Sequence, residues 1–240
     1  MEEKLLQMKS LVERLNQASD SYYNGKGELM TDYEWDALFD QLKRLEEETG
    51  EILPDSPTNR VSEDSIVGKK EEHEFAALSL AKTKQVSDLV KWAEDRPIWI
   101  SWKLDGLTLV VTYDGGKLTK IVTRGNGHIG TNITHLAPAI SGIPATISEK
   151  GHLVVRGEAV ISYTDFEQFI IESEGDYANP RNLASGSLTL KDIEEVKQRH
   201  IQWIPFTLVY TERELTSWGE RMQMLKDLGM NPVERERIDH

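Results

Sequence analysis

The chain has 240 residues, with 28 Lys and Arg against 41 Asp and Glu, for a net charge of -13. That balance excludes a surface that grips nucleic acid over its whole area, because phosphate binding needs clustered cations. The absence of cysteine excludes disulfides and thiolate metal sites, and no apolar run reaches the roughly 18 residues of a membrane span.

The amino terminus, Met1-Glu2-Glu3-Lys4, lacks the basic and apolar regions of a secretory leader, so a cytoplasmic protein without membrane attachment is expected. Leu5, Met8, Leu11, Val12 and Leu15 recur at helical spacing, and Trp35, Leu38, Phe39, Leu42 and Leu45 do so again. Thr31 and Glu34 have capping-box spacing at the start of the second helix, and Tyr22-Tyr23-Asn24-Gly25-Lys26-Gly27 reads as the turn between the two. The stretch Leu53-Pro54-Asp55-Ser56-Pro57-Thr58 breaks the helical period, and a domain edge is placed near residue 65. Residues 1–65 would form a small helical domain and residues 66–240 a larger one. Seven basic and 16 acidic residues fall in the first part, against 21 and 25 in the second, so nucleic-acid contact is expected from the second.

A helix is predicted over 86–93, and from Ile98 the pattern turns to β-branched and aromatic residues. Strands are predicted over 98–103, 107–113, 117–123, 153–161 and 202–210. Asp114-Gly115-Gly116 joins the second and third as a hairpin, which makes the sheet at least partly antiparallel. Further helices are predicted from Thr164, with Glu167 as capping partner, to Ser173, and from Ser217, with Glu220, to Leu228. The order is that of an α+β fold, not a βαβ alternation. Gly125-Asn126-Gly127-His128-Ile129-Gly130 matches the dinucleotide fingerprint G-x-G-x-x-G, but Pro138, Gly142 and Pro144 leave no room for the long helix it requires. It is read as a turn. The six histidines have no metal-ligand spacing.

The residues with chemistry to offer are few. Lys103-Leu104-Asp105-Gly106 places a lysine on a predicted strand, with Lys103 and Asp105 on one face, and suits a covalent nucleotidyl carrier with Lys103 as nucleophile. Arg156 and Glu158 share that spacing inside the apolar strand 153–161, where a charged pair is costly unless it is paired or used. Arg124 ends a strand beside the glycine turn. Ala178-Asn179-Pro180-Arg181-Asn182 precedes the small-residue stretch Ala184-Ser185-Gly186-Ser187, read as a turn.

In order and spacing, Lys103-Leu104-Asp105-Gly106, Thr123-Arg124-Gly125, Val155-Arg156-Gly157-Glu158, Ala178-Asn179-Pro180-Arg181-Asn182 and Gly186-Ser187-Leu188 resemble the adenylation domain of NAD-dependent DNA ligases. Tyr22-Tyr23, Asp32 through Asp36 and Asp55-Ser56-Pro57-Thr58-Asn59-Arg60-Val61 resemble the small helical domain that sets these ligases apart from ATP-dependent ones. The resemblance implies a nucleotidyltransferase domain of mainly antiparallel sheets flanked by helices, in which Lys103 takes AMP from NAD and nicotinamide mononucleotide leaves. It places Ser79, Leu80, Ser101, Arg124 and Glu158 around the adenosine, with Asp105 and Gly106 shaping the lysine's turn. Tyr22, Tyr23, Asp32, Trp35 and Asp36 fall at the nicotinamide-nucleotide clamp, where an aromatic face stacks the pyridinium ring and carboxylates hold hydroxyls. Mg2+ on the phosphates is the expected helper, because an amine attacks only when neutral and an ordinary lysine amine is neutral about once in a thousand at pH 7.

Several positions depart from the family pattern. Ser101 stands where a glutamate is usual, Asn126, Thr131 and Asn132 replace acids, Tyr23 and Trp35 replace His and Tyr, and Thr189 replaces an arginine. The family's two later lysine motifs lie beyond His240, so the adenylation domain is expected to be incomplete at its C-terminal end. A natural subunit of a split ligase is favoured over a truncated ligase or a retired paralogue, with a second polypeptide carrying the remaining motifs and nicked double-stranded DNA as partners. Two alternatives stay open: a non-catalytic NAD- or partner-binding paralogue, and an ATP- or GTP-using RNA ligase or capping-type nucleotidyltransferase.

Overall fold

A computed structural model describes residues 2–23, 29–58, 68–78, 81–173 and 177–239. It opens with α1 (Glu2–Tyr23) and α2 (Asp32–Thr49). Met8, Leu11, Val12 and Leu15 of α1 pack against Leu42 and Leu45 of α2, the two stripes that the periodicity picked out. The Thr31 side chain accepts the Glu34 N–H while Glu34 reaches back to the Thr31 N–H, so orphan donors at the start of α2 are satisfied reciprocally. Gly50 stops the helix in a left-handed conformation. The following turn is pinned by Glu46, buried on α2, whose carboxylate accepts from Ser56 Oγ at 2.5 Å and Thr58 Oγ1 at 2.7 Å.

The larger part runs β1 (Lys70–Glu72), α3 (Val86–Ala93), β2 (Ile98–Ser101), β3 (Leu107–Asp114), β4 (Lys117–Thr123), β5 (Ile129–Thr131), a 3-10 turn (Thr134–Ala139), β6 (Leu153–Val160), α4 (Tyr163–Ser173), α5 (Pro180–Ser187), α6 (Ile193–Lys197), β7 (Gln202–Thr211), α7 (Trp218–Asp227) and β8 (Arg235–Ile238). Its centre is a four-stranded antiparallel sheet in the order β4-β3-β6-β7, with two-stranded pairs β1-β5 and β2-β8 beside it. This is an α+β fold of antiparallel sheets flanked by helices. Leu109, Val111, Tyr113, Ile121, Leu153, Val155 and Trp203 line the buried face, covered by Leu136, Leu183, Val196, Met222 and Leu225. Gly115 and Gly116, at φ 60° and 78°, make the β3-β4 hairpin with the left-handed geometry its twist requires. The glycine run at 125–130 turns from β4 into β5, and only a 3-10 turn containing Pro138 follows it.

Three local expectations need correction. The α4 helix begins one residue early because Ser162, not Thr164, caps it: Ser162 Oγ accepts the Asp165 N–H at 3.0 Å. Ala184 to Ser187 belong to α5 and not to a turn. The helix is started by Asn179, whose side chain accepts the Asn182 N–H at 2.9 Å, with Pro180 at its first position. Finally, β2 ends at Ser101, so Lys103 is not on a strand.

Candidate active site

The chain crosses after Ser101 from the β2-β8 pair into the four-stranded sheet, which it joins at Leu107, so no ladder can hold the intervening residues. Strand alternation therefore does not set the direction of Lys103. Three side-chain contacts hold the connection instead. Trp102 Nε1 donates to Glu234 Oε2 at 2.9 Å, Arg181 Nη1 pairs with Asp105 Oδ1 at 2.6 Å, and the Gly106 N–H donates to Glu158 Oε1 at 3.2 Å. Lys103 and Asp105 are exposed and Leu104 is half-buried between them.

Glu158 is the fixed point. The β3-β6 register sets it opposite Thr108, whose hydroxyl donates to its second oxygen at 2.9 Å, and the residue is only 9% exposed. Burial pushes its carboxyl above the ordinary range, while Thr108, the charge of Arg181, the Gly106 N–H and the charge of Lys103 pull the other way. Arg156, the other charged residue of β6, is held by carbonyls and not by Glu158: Nη2 donates to Ala76 O at 2.7 Å and Phe75 O at 3.3 Å, while its buried Nε has no hydrogen-bond partner among the described residues. Burial, and then the charge of Arg124, lower its pKa.

Arg124 links the two regions. Its backbone N–H donates to Thr108 O at 2.9 Å and its Nε to Ala77 O at 3.1 Å. Ala77 N donates to Gly127 O and His73 N to His128 O. The segment 73–78 is thus strapped along the glycine turn by two guanidinium groups and main-chain bonds, and it leads toward Ser79 and Leu80, which lie outside the described residues. Lys103, Asp105, Gly106, Arg124 and Glu158 are brought to one end of the sheet. Ser101 is exposed and faces Arg235 across β2-β8. Thr189 Oγ1 closes on Gly186 O at 2.7 Å.

The predicted clamp residues sit elsewhere in the sequence. Trp35 stacks on Phe39 with ring centroids 4.9 Å apart and donates its indole N–H to Ser19 Oγ at 3.1 Å. Tyr22 and Tyr23 end α1, and Asp32 and Asp36 begin α2; their side chains lie outside the described residues. Sequence reasoning assigned no role to Thr108, Arg181 or Glu234. Asn179-Pro180 carried the one usable signal, since a cap followed by Pro starts a helix and Arg181 is then its second residue. Among the described residues no group of three or more His, Asp or Glu could hold a metal ion, and no helix is long and apolar enough to cross a membrane.

An exposed primary amine, carried on a connection tied to a buried carboxylate and to the Arg181 guanidinium, suits attack on a phosphoryl centre. Comparison with known proteins gives that chemistry a family. Residues 69–238 match the family described as "NAD-dependent DNA ligase adenylation domain", and residues 1–62 match "DNA ligase-like, N-terminal NAD+-binding domain". A DNA ligase of Lachnoclostridium phytofermentans is 40% identical over 244 residues, covering 99% of this chain and 37% of the relative. One of Ruminiclostridium cellulolyticum matches to the same extent, and one of Leptospira biflexa is 39% identical over 199 residues, covering 80% of this chain and 30% of the relative. The chain therefore spans well under half the length of these relatives. It belongs to the NAD-dependent DNA ligase family, of which it carries the N-terminal NAD+-binding and adenylation regions.

Proposed function

We propose that this chain performs the first step of DNA ligation. Lys103 Nζ attacks the α-phosphorus of NAD+, a P–N bond forms, the P–O bond to nicotinamide mononucleotide breaks, and the leaving group takes that electron pair while the amine's proton passes to solvent. The reading rests above all on the placement of Lys103, exposed on a connection that Glu158 and Arg181 fix at Gly106 and Asp105. The donor set suits a dinucleotide, since Lys103 and Arg181 both lie close enough to Glu158 for their charges to act on it and Arg124 acts likewise on Arg156, which leaves cationic groups available to a pyrophosphate. Ser79, Leu80, Ser101, Arg124 and Glu158 would hold the adenosine. Tyr22, Tyr23, Asp32, Trp35 and Asp36, from a helical domain ending near residue 65, would hold the nicotinamide nucleotide. Mg2+ would arrive on the phosphates, its usual mode where few protein ligands are offered.

Nicked double-stranded DNA is the proposed acceptor of the AMP. Sealing would draw on the ligase sequence found in the relatives outside the matched region, whether joined to this chain or carried by a second polypeptide. In a single-turnover assay with NAD+, Mg2+ and that remaining sequence, about one nicotinamide mononucleotide should be released per chain, and Lys103→Ala should release none. Equal release by the variant, or equal use of ATP, would refute the reading.

A further inference from the structure

Trp35 and Phe39 stand one helical turn apart on α2 and form a stacked pair, with ring centroids 4.9 Å apart and planes at 17°. Phe39 has no hydrogen-bonding group, and the single donor of Trp35 is spent on Ser19 Oγ of α1, so the pair offers an aromatic face alone. Lys82 lies over the Phe39 ring, its Nζ 5.5 Å from the centroid. Lys82 belongs to the larger domain. Its segment follows Ser79 and Leu80 directly and is exposed, and Thr83 anchors it on the other side. Thr83 Oγ1 donates to Asp88 Oδ2 at 2.8 Å and accepts the Gln85 N–H at 3.0 Å, which ties the segment to the start of α3. An ammonium from the adenosine side thus reaches across to the aromatic pair of the helical domain. That domain also approaches α5 through α1, and α5 carries the Arg181 that pairs with Asp105.

We propose that Lys82 determines specificity for the phosphate of the nicotinamide nucleotide. The proposal rests on the reading of Trp35 as part of the nicotinamide clamp and supplies a charge to it, since Tyr22, Tyr23, Asp32, Trp35 and Asp36 include no cation. A pyridinium ring is itself an aromatic cation, so it and the Lys82 ammonium seek the same rings. Two positive charges repel each other on one face. The lysine, a compact charge on a flexible stem, is the partner that can move. With Thr83 anchored, its ammonium stays within a side chain's length of the pair, and the anion that a dinucleotide brings there is the phosphate on the nicotinamide ribose. Lys82 then exchanges a ring contact for a charge-assisted hydrogen bond to that phosphate. The contact also bears on the reaction. When the P–O bond breaks, the departing phosphate gains negative charge, and an ammonium beside it stabilises that state more than the intact dinucleotide.

Equilibrium binding of two probes to this chain tests the proposal. Nicotinamide mononucleotide and nicotinamide riboside share the pyridinium and the ribose and differ only in the phosphate. Lys82→Gln should bind the mononucleotide about tenfold more weakly than the unaltered chain, and the riboside no more weakly. Lys82→Arg should restore mononucleotide binding to within about threefold, because a phosphate accepts from either cation. Lys84→Gln removes an equal charge two residues on and should leave both affinities unchanged. Unchanged mononucleotide binding in Lys82→Gln would overturn the proposal. Equal weakening for both probes would do so too, since Lys82 would then hold the shape of the clamp and not the phosphate. So would failure of Lys82→Arg to restore binding, or equal weakening by Lys84→Gln, which would show a general attraction of charge. Failure of the unaltered chain to bind either probe would overturn the proposal together with the clamp on which it rests. No bond to Lys103 forms in this assay, so its outcome is separate from the reading of Lys103 as nucleophile.

Discussion

Replacing Gly106 by alanine isolates the part of the structure that aims Lys103. A methyl group there would lie 2.8 Å from Val160 Cγ1, 3.0 Å from the carbonyl carbon of Ala159 and closer still to its oxygen, where ordinary contact begins at 3.4 Å. Ala159 belongs to β6 and cannot yield without breaking its pairing with Leu107 and Trp203. The connection must therefore move away by about 1 Å, which stretches the 3.2 Å bond from Gly106 N to Glu158 and shifts the lysine with it. Overpacking of this kind costs about 1–3 kcal/mol, or roughly 2–10 °C in a chain of this size. If Lys103 is the nucleophile, as proposed, misplacing it by that distance should slow transfer of AMP about 100-fold. The assay is the single-turnover release of nicotinamide mononucleotide, read beside thermal unfolding so that rate loss in folded protein is separated from loss of fold. A Gly106→Ala protein that melts a few degrees lower yet reacts at the wild-type rate would refute the claim that this connection positions Lys103.

Other consequences follow from the same contacts. Arg181→Gln frees Asp105; because Asp105 is 61% exposed the ion pair holds little stability, so melting should change by no more than about 1 kcal/mol while NMN release slows about tenfold, and an unchanged rate would remove Arg181 from the positioning role. Glu158→Gln should remove a pH trend. Since burial raises the folded pKa of Glu158 above 4.5, its contribution to stability is full below that value and is lost as pH rises through the folded pKa; wild type should therefore lose melting temperature relative to Glu158→Gln across that window, and parallel curves would contradict the assigned burial cost. His152 bonds Asp114 at 2.6 Å and Glu74 at 2.8 Å, which requires its charged form and raises its pKa, Asp114 being the largest cause. The clasp is thus complete below pH 6.5 and lost as pH rises through the folded pKa, so hydrogen exchange of residues 73–78 should quicken there in wild type and show no such step in His152→Gln.

Legibility of the fold followed the strength of local patterns. The helical stripes of α1 and α2, both Thr31 and Ser217 capping boxes and the Asp114-Gly115-Gly116 hairpin are encoded within a few residues, and each is present. β1, β5 and β8 escaped because they have three or four residues, are charged or glycine-containing, and form only through partners distant in sequence: Lys70 pairs with Thr131 and Ile98 with Ile238. The end of β2 escaped for a similar reason, since alternation continues through Lys103 and only the crossing between two sheets stops the ladder. At the site, the spacing of Arg156 and Glu158 in an apolar strand pointed to buried charge, and of the two Glu158 is buried while Arg156 is half-buried. Their partners, Thr108, Gly106 and the carbonyls of residues 75 and 76, depend on register and on a strap that spacing does not reveal.

The most direct measurement is peptide mass mapping of the protein after incubation with NAD+, Mg2+ and the remaining ligase sequence. The account predicts one AMP per chain, on the peptide containing Lys103, formed from NAD+ and not from ATP. AMP on a different residue, or none in that complete mixture, would contradict it.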